Sequence, residues 1–262
     1  MNNVAGIDIG SAFSKVLILA GTKVVSYHIL PSGGNYKDTA GKVLREALTK
    51  AGLSLRDIKY MVATGYGASS FSSRNETISD ISCQGRGAFH LFPSARTVID
   101  IGGQFSRVSR VDEEGRVTGF LLSEKCAAGS GKFLQVIARV LHVGLEEIGE
   151  MSLKSQKRID FNTGCAVFAE TEAVSRVAEG ATKEDILAGV HRALAAKIQA
   201  LVERVGFKKD CALIGGGAKD IGLVKSIEEK LGLSLLVPKE PQIVASLGAA
   251  LIAGERLVSC HA

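Results

Sequence analysis

The chain of 262 residues contains no tryptophan, only four prolines and only 5% aromatic residues. Proteins that bind single-stranded nucleic acids stack the bases on exposed aromatic side chains, so this composition argues against that class. The net charge of +5 is spread along the sequence, and no run of lysine and arginine exceeds two residues. The chain therefore lacks the basic patch of a nucleic-acid-binding protein, and we expect no nucleic-acid partner.

Signals for export or membrane insertion are also lacking. The longest apolar run, residues 243–253, is too short to span a bilayer and is interrupted by Ser246 and Gly248. The first residues carry no basic segment, and Asp8 interrupts the first apolar run, so we expect no signal peptide. The five cysteines form an odd set without a CxxC pair, which disfavours a disulfide framework. We therefore expect a cytoplasmic protein with no membrane partner.

What the sequence does contain is an internal repeat. Residues 7–16 read IDIGSAFSKV and residues 99–108 read IDIGGQFSRV, with seven of ten positions identical. Each copy predicts a strand, a glycine turn and a second strand, which together form a β-hairpin. Chance similarity between two hairpins is one interpretation, and a duplicated domain is the other. The length of the match favours duplication.

The chemistry of the repeat favours phosphate binding. Glycine turns let backbone N–H groups approach phosphate oxygens that side chains would block. Asp8 and Asp100 occupy the same position in the two copies, and two carboxylates at one phosphate site need a cation such as Mg²⁺ between them. Ser11, Ser14 and Lys15 would supply hydrogen-bond donors to the phosphates. Taken singly, each of these three could also be an ordinary turn or surface residue.

A third glycine cluster, ALIGGGAKD at residues 212–220, follows an apolar strand and precedes a helical pattern. Such a turn can hold a nucleotide on backbone amides and a helix N-terminus, although it lacks the P-loop ending and the GxGxxG spacing. In chain order, the two hairpins and this turn resemble the phosphate 1, phosphate 2 and adenosine segments of the actin–hexokinase–heat-shock-protein ATPase superfamily.

Further motifs narrow this resemblance. They are GIDIGSAFSK at 6–15, ATGYG at 63–67, DIGGQ at 100–104, KCAAGSGKFL at 125–134, CAVFAETE at 165–172 and GGGAKD at 215–220. Over nearly the whole chain, the sequence resembles the ATPase activators of 2-hydroxyacyl-CoA dehydratases, which form a wider group with the ATPase subunits of benzoyl-CoA reductases.

The resemblance implies an α/β fold with two actin-like, ribonuclease H-like lobes, mixed sheets and a nucleotide cleft between them. Lobe one is expected over residues 1–94 plus 241–262. Lobe two is expected over residues 95–240, which include Cys126 and Cys165. Catalytic roles, with Mg²⁺, are assigned to Asp8, Asp80, Asp100 and Gln104. ATP or ADP is expected to contact the glycine turns and their neighbours: Gly10, Ser11, Ser14, Lys15, Gly102, Gly103, Gly215, Gly216, Gly217 and Lys219.

Two of the cysteines are candidate metal ligands. Cys126 and Cys165 each precede a helical pattern, and a helix N-terminus lowers the pKa of a thiol. From the residues alone, both could equally be buried core cysteines. The resemblance makes them ligands of a [4Fe–4S] cluster, which needs four thiolates, so one cluster would bridge a homodimer. Cys83, Cys211 and Cys260 are expected to be ordinary core or tail residues.

The sequence departs from the activators at two informative places. Phe105 stands where the activators continue DIGGQ with an aspartate, and the repeat pairs it with Phe13 as a residue packed beneath the hairpin. The stretch SDISCQ at residues 79–84 stands where the activators carry a glutamate and a histidine. Asp80 is therefore either a replacement acid at the site or a first-turn helix residue.

The function implied by the resemblance is ATP-dependent transfer of one electron from the cluster to a partner iron–sulfur enzyme, a 2-hydroxyacyl-CoA dehydratase. Ferredoxin or flavodoxin would reduce the cluster. A benzoyl-CoA reductase-type or other cluster protein is an alternative partner. A small-metabolite kinase on the same fold, with ordinary buried cysteines, and a filament-forming scaffold remain open alternatives.

Overall fold

The computed structural model describes residues 2–123, 130–161 and 166–259, and the chain divides into two compact units. The first unit comprises Met1–Ala95, Val111–Thr118 and Pro238–Ala262, and the second comprises Arg96–Arg110 and Gly119–Val237. Residues 111–118, predicted to belong to lobe two, are grouped with the first unit, as are Ala95 and residues 238–240 at the predicted boundaries.

The first sheet has five strands, which are β1 (Asn3–Ile9), β2 (Phe13–Ala20), β3 (Lys23–Pro31), β4 (Ile58–Thr64) and β5 (Glu76–Thr77). Their order in the sheet is β3-β2-β1-β4-β5. β1, β2 and β3 pair antiparallel, whereas β4 lies parallel to β1 and β5 lies parallel to β4. The sheet is therefore mixed, as the resemblance implies.

The second sheet has four strands, which are β6 (Thr97–Ile101), β7 (Ser106–Val111), β8 (Val117–Leu122) and β9 (Cys211–Ile214). Their order is β8-β7-β6-β9. β7 lies antiparallel to β6 and β9 lies parallel to it, so this sheet is mixed as well.

The helices follow the same division of the chain. Within the described residues, they are α1 (Tyr36–Ala51), α2 (Asp80–Leu91), α3 (Gly131–Val140), α4 (Ile148–Ser152), α5 (Ala166–Ala178), α6 (Lys183–Val205), α7 (Ile221–Leu231) and α8 (Val244–Ser259). α1, α2 and α8 belong to the first unit, and the other five belong to the second. Short 3-10 turns at Ala68–Ser70 and Gly216–Lys219 come after β4 and β9.

Side chains on the two faces of the first sheet pack against different helices. In β1, Ala5, Ile7 and Ile9 pack in a core cluster with α1, whereas Val4 packs in another cluster with α2 and α8. This follows from the opposite directions of successive side chains in a strand. Gly6 lies on the α8 side, where a Cβ would overlap the backbone of α8. α8 therefore packs directly on the backbone of β1.

The second unit is built around α6, the longest of the described helices. Thr182 caps its N-terminus by accepting a hydrogen bond from the N–H of Asp185, and the helix ends at Gly206 with a φ of 82°. Its buried side chains share one core cluster with residues of α3, α4, α5, α7 and the strands β6 and β9. α6 thus contacts most elements of its unit.

The sequence repeat corresponds to a structural repeat. Asp8 pairs with Lys15 across the β1–β2 hairpin, and Asp100 pairs with Arg107 across the β6–β7 hairpin. A parallel strand lies on the other side of each first strand, β4 beside β1 and β9 beside β6. Both hairpins therefore have the same register and the same neighbour, as a duplication would produce.

The C-terminal part of the first unit contains a long apolar helical stretch. Residues Pro241–Ser259 form a helical stretch that is long and apolar enough, by length and composition alone, to cross a membrane. It extends beyond the run at 243–253 because α8 continues to Ser259. Leu247, Ala249 and Ala250 of α8 pack in a core cluster with residues of β1 and β4. The stretch is thus the core helix of the first unit.

A glycine at the crossing of α2 and α8 gives a stability prediction. A Cβ at Gly248 would overlap the carbonyl oxygen of Cys83 on α2, whereas a Cβ at Gly254 on the same helix would meet only Val4 Cγ2, at 3.9 Å. We expect Gly248→Ala to lower the free energy of unfolding by about 1–3 kcal/mol, because overpacking displaces the helices. Gly254→Ala, the matched control, should be neutral or stabilise the protein by up to about 1 kcal/mol. Urea unfolding measures both, and equal stabilities would contradict the close crossing.

Candidate functional site

The first unit places a buried carboxylate near the end of β1. Asp8 is 7% exposed, and Lys15 Nζ on β2 donates a hydrogen bond to its Oδ2 at 2.8 Å. A Cβ at Gly65, directly after β4, would overlap Asp8 Oδ1, and a Cβ at Gly10 would lie 3.1 Å from Lys15 Nζ. The backbone at both glycines thus packs closely against this ion pair, which a side chain at either position would disturb.

The turn between β1 and β2 is held from inside the unit by serine hydroxyls. The N–H of Gly10 donates to the carbonyl oxygen of Phe13 at 3.1 Å, which closes the turn. Ser14 is buried with its Oγ 2.9 Å from Ser32 Oγ, and Ser32 Oγ donates to the carbonyl oxygen of Gly10 at 2.6 Å. Ser14 therefore supports the turn through Ser32, and its burial does not fit the predicted role of a phosphate donor. Ser11 lies in the turn itself and is partly exposed.

The second unit repeats this arrangement near the end of β6. Asp100 is 7% exposed, and Arg107 Nη1 lies 4.0 Å from its Oδ2. The N–H of Gly102 donates to the carbonyl oxygen of Phe105 at 3.0 Å, which closes the turn as in the first copy. A Cβ at Gly215, directly after β9, would overlap Asp100 Oδ1. In both units, a buried carboxylate therefore lies beside a basic residue and a glycine.

The turns after β4 and β9 form a second repeated element, which the hairpin repeat alone does not reveal. Their sequences are TGYGA at 64–68 and IGGGA at 214–218. Gly65 and Gly215 have φ values of 89° and 85°. The N–H groups of Ala68 and Ala218 donate to the carbonyl oxygens of these two glycines at 3.1 and 3.2 Å. The shared G-x-G-A pattern after two parallel strands is the signal that identifies this pair.

The remaining predicted nucleotide contacts lie in or beside the turns of the second unit. Gly103 is partly exposed and Gln104 is exposed in the turn between β6 and β7. In the 3-10 turn after β9, Gly216 and Lys219 are exposed, whereas Gly217 is buried. The structure therefore brings Gln104 to the same turn that follows Asp100.

Asp80 lies in the first turn of α2, directly after the N-cap residue Ser79. Ser79 Oγ accepts a hydrogen bond from the N–H of Ser82 at 3.1 Å, and Asp80 Oδ1 accepts one from the N–H of Ile81 at 2.9 Å. A carboxylate in the first helical turn is stabilised by the helix dipole. Of the two interpretations that the sequence leaves open for Asp80, this geometry matches the first-turn helix residue.

Phe105 takes the place of Phe13 in the second copy. Both side chains are partly buried, and both carbonyl oxygens accept the hydrogen bond that closes their turn. Phe105 thus behaves as a repeat partner of Phe13. Both phenylalanines are intermediate in burial, so packing of Phe105 beneath the hairpin, like that of Phe13, stays a prediction.

The predicted cluster ligands Cys126 and Cys165 lie outside the described residues, as does Cys260. Cys83 and Cys211 are buried free cysteines, and burial raises the pKa of each thiol to about 12. Such thiols stay protonated and are poor metal ligands, because the thiolate is the form that binds metals. In the part of the chain that the structure describes, no group of three or more His, Cys, Asp or Glu residues could hold a metal ion.

Gly215 and Gly232 both have a positive φ but lie in different backbone regions, since the ψ of Gly215 is 178°, where essentially only glycine is found, whereas the ψ of Gly232 is 32°, in the left-handed helical region. Gly215 and Gly232 have φ values of 85° and 66°, but a Cβ at Gly232 would meet nothing within 4 Å. Gly232→Ala should lower the free energy of unfolding by about 1–2 kcal/mol and leave nucleotide affinity unchanged. Gly215→Ala should lower it by about 2–4 kcal/mol, because alanine does not adopt this backbone conformation and its Cβ would also overlap Asp100. The displacement of Asp100 should in addition weaken nucleotide binding. Urea unfolding and titration with a fluorescent ATP analogue test this, and equal losses would argue against it.

Comparison with known proteins places the chain among ATPases. Residues 5–253 match the model of the BadF/BadG/BcrA/BcrD ATPase family. The chain is 40% identical over 249 residues to the 2-hydroxyisocaproyl-CoA dehydratase activator of Clostridioides difficile, and the match covers 95% of this chain and 93% of that protein.

Two solved structures share the fold over nearly the whole chain. The (R)-2-hydroxyglutaryl-CoA dehydratase component A of Acidaminococcus fermentans has a TM-score of 0.95 at 36% identity, covering 98% of this chain and 100% of that one. The activator of the 2-hydroxyisocaproyl-CoA dehydratase from Clostridium difficile was solved with bound ADPNP. It has a TM-score of 0.94 at 38% identity, and the match covers 99% of this chain and 97% of that one. The predicted resemblance and the mixed α/β, actin-like fold are confirmed. The chain belongs to the BadF/BadG/BcrA/BcrD ATPase family.

Proposed function

We propose that this protein is an ATP-driven electron donor that activates a 2-hydroxyacyl-CoA dehydratase. Membership of an ATPase family and 40% identity to a protein named as a dehydratase activator support the proposal. The similar structure with bound ADPNP supports nucleotide binding. The observation that carries the proposal is the duplicated element in which Asp8 and Asp100 are buried beside glycine turns.

Asp8 and Asp100 would hold Mg²⁺, directly or through water, at the phosphates of ATP. Mg²⁺ prefers carboxylate oxygens, and such oxygens are what the two units offer. A Cβ at Gly65 or Gly215 would overlap these carboxylates, so only glycine lets the turn backbone lie this close to Asp8 and Asp100. Lys15 would add a positive charge for the phosphates. Bound Mg²⁺ would neutralise the charge that develops on the phosphates during transfer.

Hydrolysis of ATP requires a water molecule held in line with the terminal phosphate. Asp100 and Gln104 would orient this water, since Gln104 is exposed in the turn that follows Asp100. The water oxygen bonds to the terminal phosphorus as the bond to the bridging oxygen breaks, and ADP and phosphate are the products. Catalysis of this kind consists mainly of positioning and electrostatic stabilisation. Adenosine would lie against the turn at Gly216–Lys219.

The turn after Asp100 is bonded directly to the start of α3, which supports coupling between ATP and the cysteines. The carbonyl oxygens of Gly102 and Gly103 accept hydrogen bonds from the N–H groups of Gly131 and Lys132, both at 2.9 Å. In the sequence, Cys126 precedes α3. A nucleotide that shifts the turn would therefore move the N-terminus of α3, the helix that follows Cys126 in the sequence.

Cys126 and Cys165 would hold the [4Fe–4S] cluster, with two thiolates from each chain of a homodimer. Four thiolates are needed, and the buried thiols of Cys83 and Cys211, with pKa values of about 12, are poorly suited to the task. When bound, the cluster supplies one electron, which comes from reduced ferredoxin or flavodoxin and goes to the dehydratase. α3 and α5 follow the two cysteines in the sequence, and their N-terminal dipoles would stabilise negative charge there.

Replacement of Asp100 tests the nucleotide end of the proposal. Asp100→Asn should slow ATP hydrolysis about 100-fold or more, because the amide cannot orient the water or bind Mg²⁺ as the carboxylate does. Iron content should stay unchanged. Asp112→Asn, at the turn between β7 and β8, is the matched control and should hydrolyse ATP normally. Phosphate release measures both rates, and a normal rate for Asp100→Asn would show that the phosphates bind elsewhere.

Replacement of single cysteines tests the electron-transfer end. The anaerobically purified protein should contain about four iron atoms per dimer, and Cys126→Ser or Cys165→Ser should each lose them. Cys83→Ala and Cys211→Ala serve as controls and should retain the iron, because these thiols are buried in the cores of their units. Iron analysis decides between the outcomes. Full iron in Cys126→Ser or Cys165→Ser would refute the shared cluster, and an iron-free wild type would favour the small-metabolite kinase.

A further inference from the structure

The helix α6 carries a fully buried histidine that the proposed mechanism does not use. His191 Nε2 lies 2.8 Å from Asp220 Oδ2, and His191 Nδ1 lies 3.0 Å from Ser152 Oγ. Ser152 Oγ in turn donates a hydrogen bond to the carbonyl oxygen of Gly149 at 2.7 Å. Burial of these polar side chains costs desolvation free energy that an apolar residue would avoid. Burial of this polar cluster, which consists of His191, Asp220 and Ser152, therefore costs free energy that the filling of the core alone does not explain.

Asp220 connects this cluster to the glycine turn after β9. Asp220 is the N-cap of α7, where its Oδ1 accepts from the N–H of Leu223 at 3.0 Å, and its own N–H donates to the carbonyl oxygen of Gly217 at 3.2 Å. A Cβ at Gly222 would lie 2.9 Å from His191 Nδ1, so the backbone of α7 packs directly on the histidine. His191 thus contacts the point at which the glycine turn passes into α7.

On a face of α6 about 120° away from His191, Asp185 holds a different segment of the chain. Asp185 Oδ1 accepts hydrogen bonds from Ser155 Oγ at 2.8 Å and from the N–H groups of Gln156 and Lys157 at 2.8 and 2.9 Å. Hydrogen bonding, above all from the N–H of Lys157, lowers the pKa of Asp185 to about 2 although burial opposes this. The carboxylate is therefore ionised at neutral pH, and its contribution to stability is lost only as the pH falls from about 4 towards 2.

The same face of α6 binds the residues that follow Lys157. Arg192 Nη2 donates to the carbonyl oxygen of Ile159 at 2.8 Å, and a Cβ at Gly189 would lie 2.7 Å from that oxygen. Positions 185, 189 and 192 have the i, i+4, i+7 spacing of one helix face. Residues 155–161 are therefore held on α6 by hydrogen bonds, and in the sequence they precede Cys165 by a few residues.

We propose that α6 couples the glycine turn after β9 to the segment that precedes Cys165, and that His191 is the positioning residue of this coupling. The inference rests on the proposed function and adds a second connection beside that of α3. α6 is one continuous helix of 23 residues. A displacement of the turn that reaches His191 through Asp220 is carried by the helix to its Asp185 face. Nucleotide binding thereby changes residues 155–161 without contacting them.

Hydrogen–deuterium exchange of the whole protein, with and without ADPNP, tests this coupling at backbone amides. In the wild type, we expect ADPNP to slow exchange about five-fold or more both in residues 215–224 and in residues 155–161. In the second segment, the N–H groups of Gln156 and Lys157 report on their bonds to Asp185. The measurement needs neither iron nor a partner enzyme, so a failure of the electron-transfer proposal would be recognised separately by iron analysis.

Two substitutions of His191 form a matched pair. The amide nitrogen of glutamine reaches the position of Nε2 beside Asp220, and that of asparagine reaches the position of Nδ1 beside Ser152. His191→Gln should keep the ADPNP response of both segments. His191→Asn should keep it in residues 215–224 but reduce it below about two-fold in residues 155–161. ADPNP affinity should change little in either variant, because His191 is buried away from the exposed part of the turn.

Asp220→Asn provides a second variant should His191→Asn not fold. Asparagine is as good an N-cap as aspartate, so this change removes only the carboxylate that faces His191. It should lose the response of residues 155–161 in the same way. A wild-type response confined to residues 215–224, or a full response of residues 155–161 in Asp220→Asn or His191→Asn, would overturn the coupling.

Discussion

The local structure of each unit depends on the burial of one carboxylate beside a basic residue. An ionised carboxylate away from water is costly unless it is paired or hydrogen-bonded. Asp8 is paired with Lys15 at 2.8 Å, and this requires the register in which the two residues face each other across the hairpin. The neighbouring parallel strand β4 must then be followed by a glycine, because a Cβ at Gly65 would overlap the same carboxylate. One buried carboxyl group therefore constrains a hairpin, a parallel strand and a glycine turn, and Asp100 is placed in the same way in the second unit.

The two copies of the hairpin differ in the basic residue that lies beside the carboxylate. Lys15 Nζ is a compact charge in direct contact with Asp8, whereas Arg107 Nη1 lies 4.0 Å from Asp100. Lysine and arginine differ in shape and hydrogen-bonding geometry, so their exchange between copies alters the immediate surroundings of the carboxylate. This difference is consistent with unequal proposed roles, in which Asp8 binds the cation and Asp100 also orients the attacking water.

The hairpins could be predicted from the sequence because a hairpin is a local structure with its turn residues in one stretch. The glycine turn at Gly65 could not be paired with Asp8 in this way, since parallel pairing joins distant residues and leaves no pattern in either stretch alone. Ser14 is hydrogen-bonded to Ser32, which directly follows β3 and which the repeat does not include. His191 lies in an ordinary helical pattern, and its partner Asp220 follows only after β9 and the glycine turn. The features that could not be predicted from the sequence are thus contacts between residues that lie far apart in the chain.

The first unit is assembled from both ends of the chain. α8 supplies Leu247 and Ala250 to the core cluster that contains Val4, and it packs on the backbone of Gly6. Every residue of the second unit precedes Pro238 in the sequence. During synthesis, which proceeds from the N-terminus, the second unit can complete its core while one face of β1 still lacks its covering helix. β1 to β5 therefore leave the ribosome before the second unit but finish folding after it, and they stay exposed to aggregation until α8 has emerged.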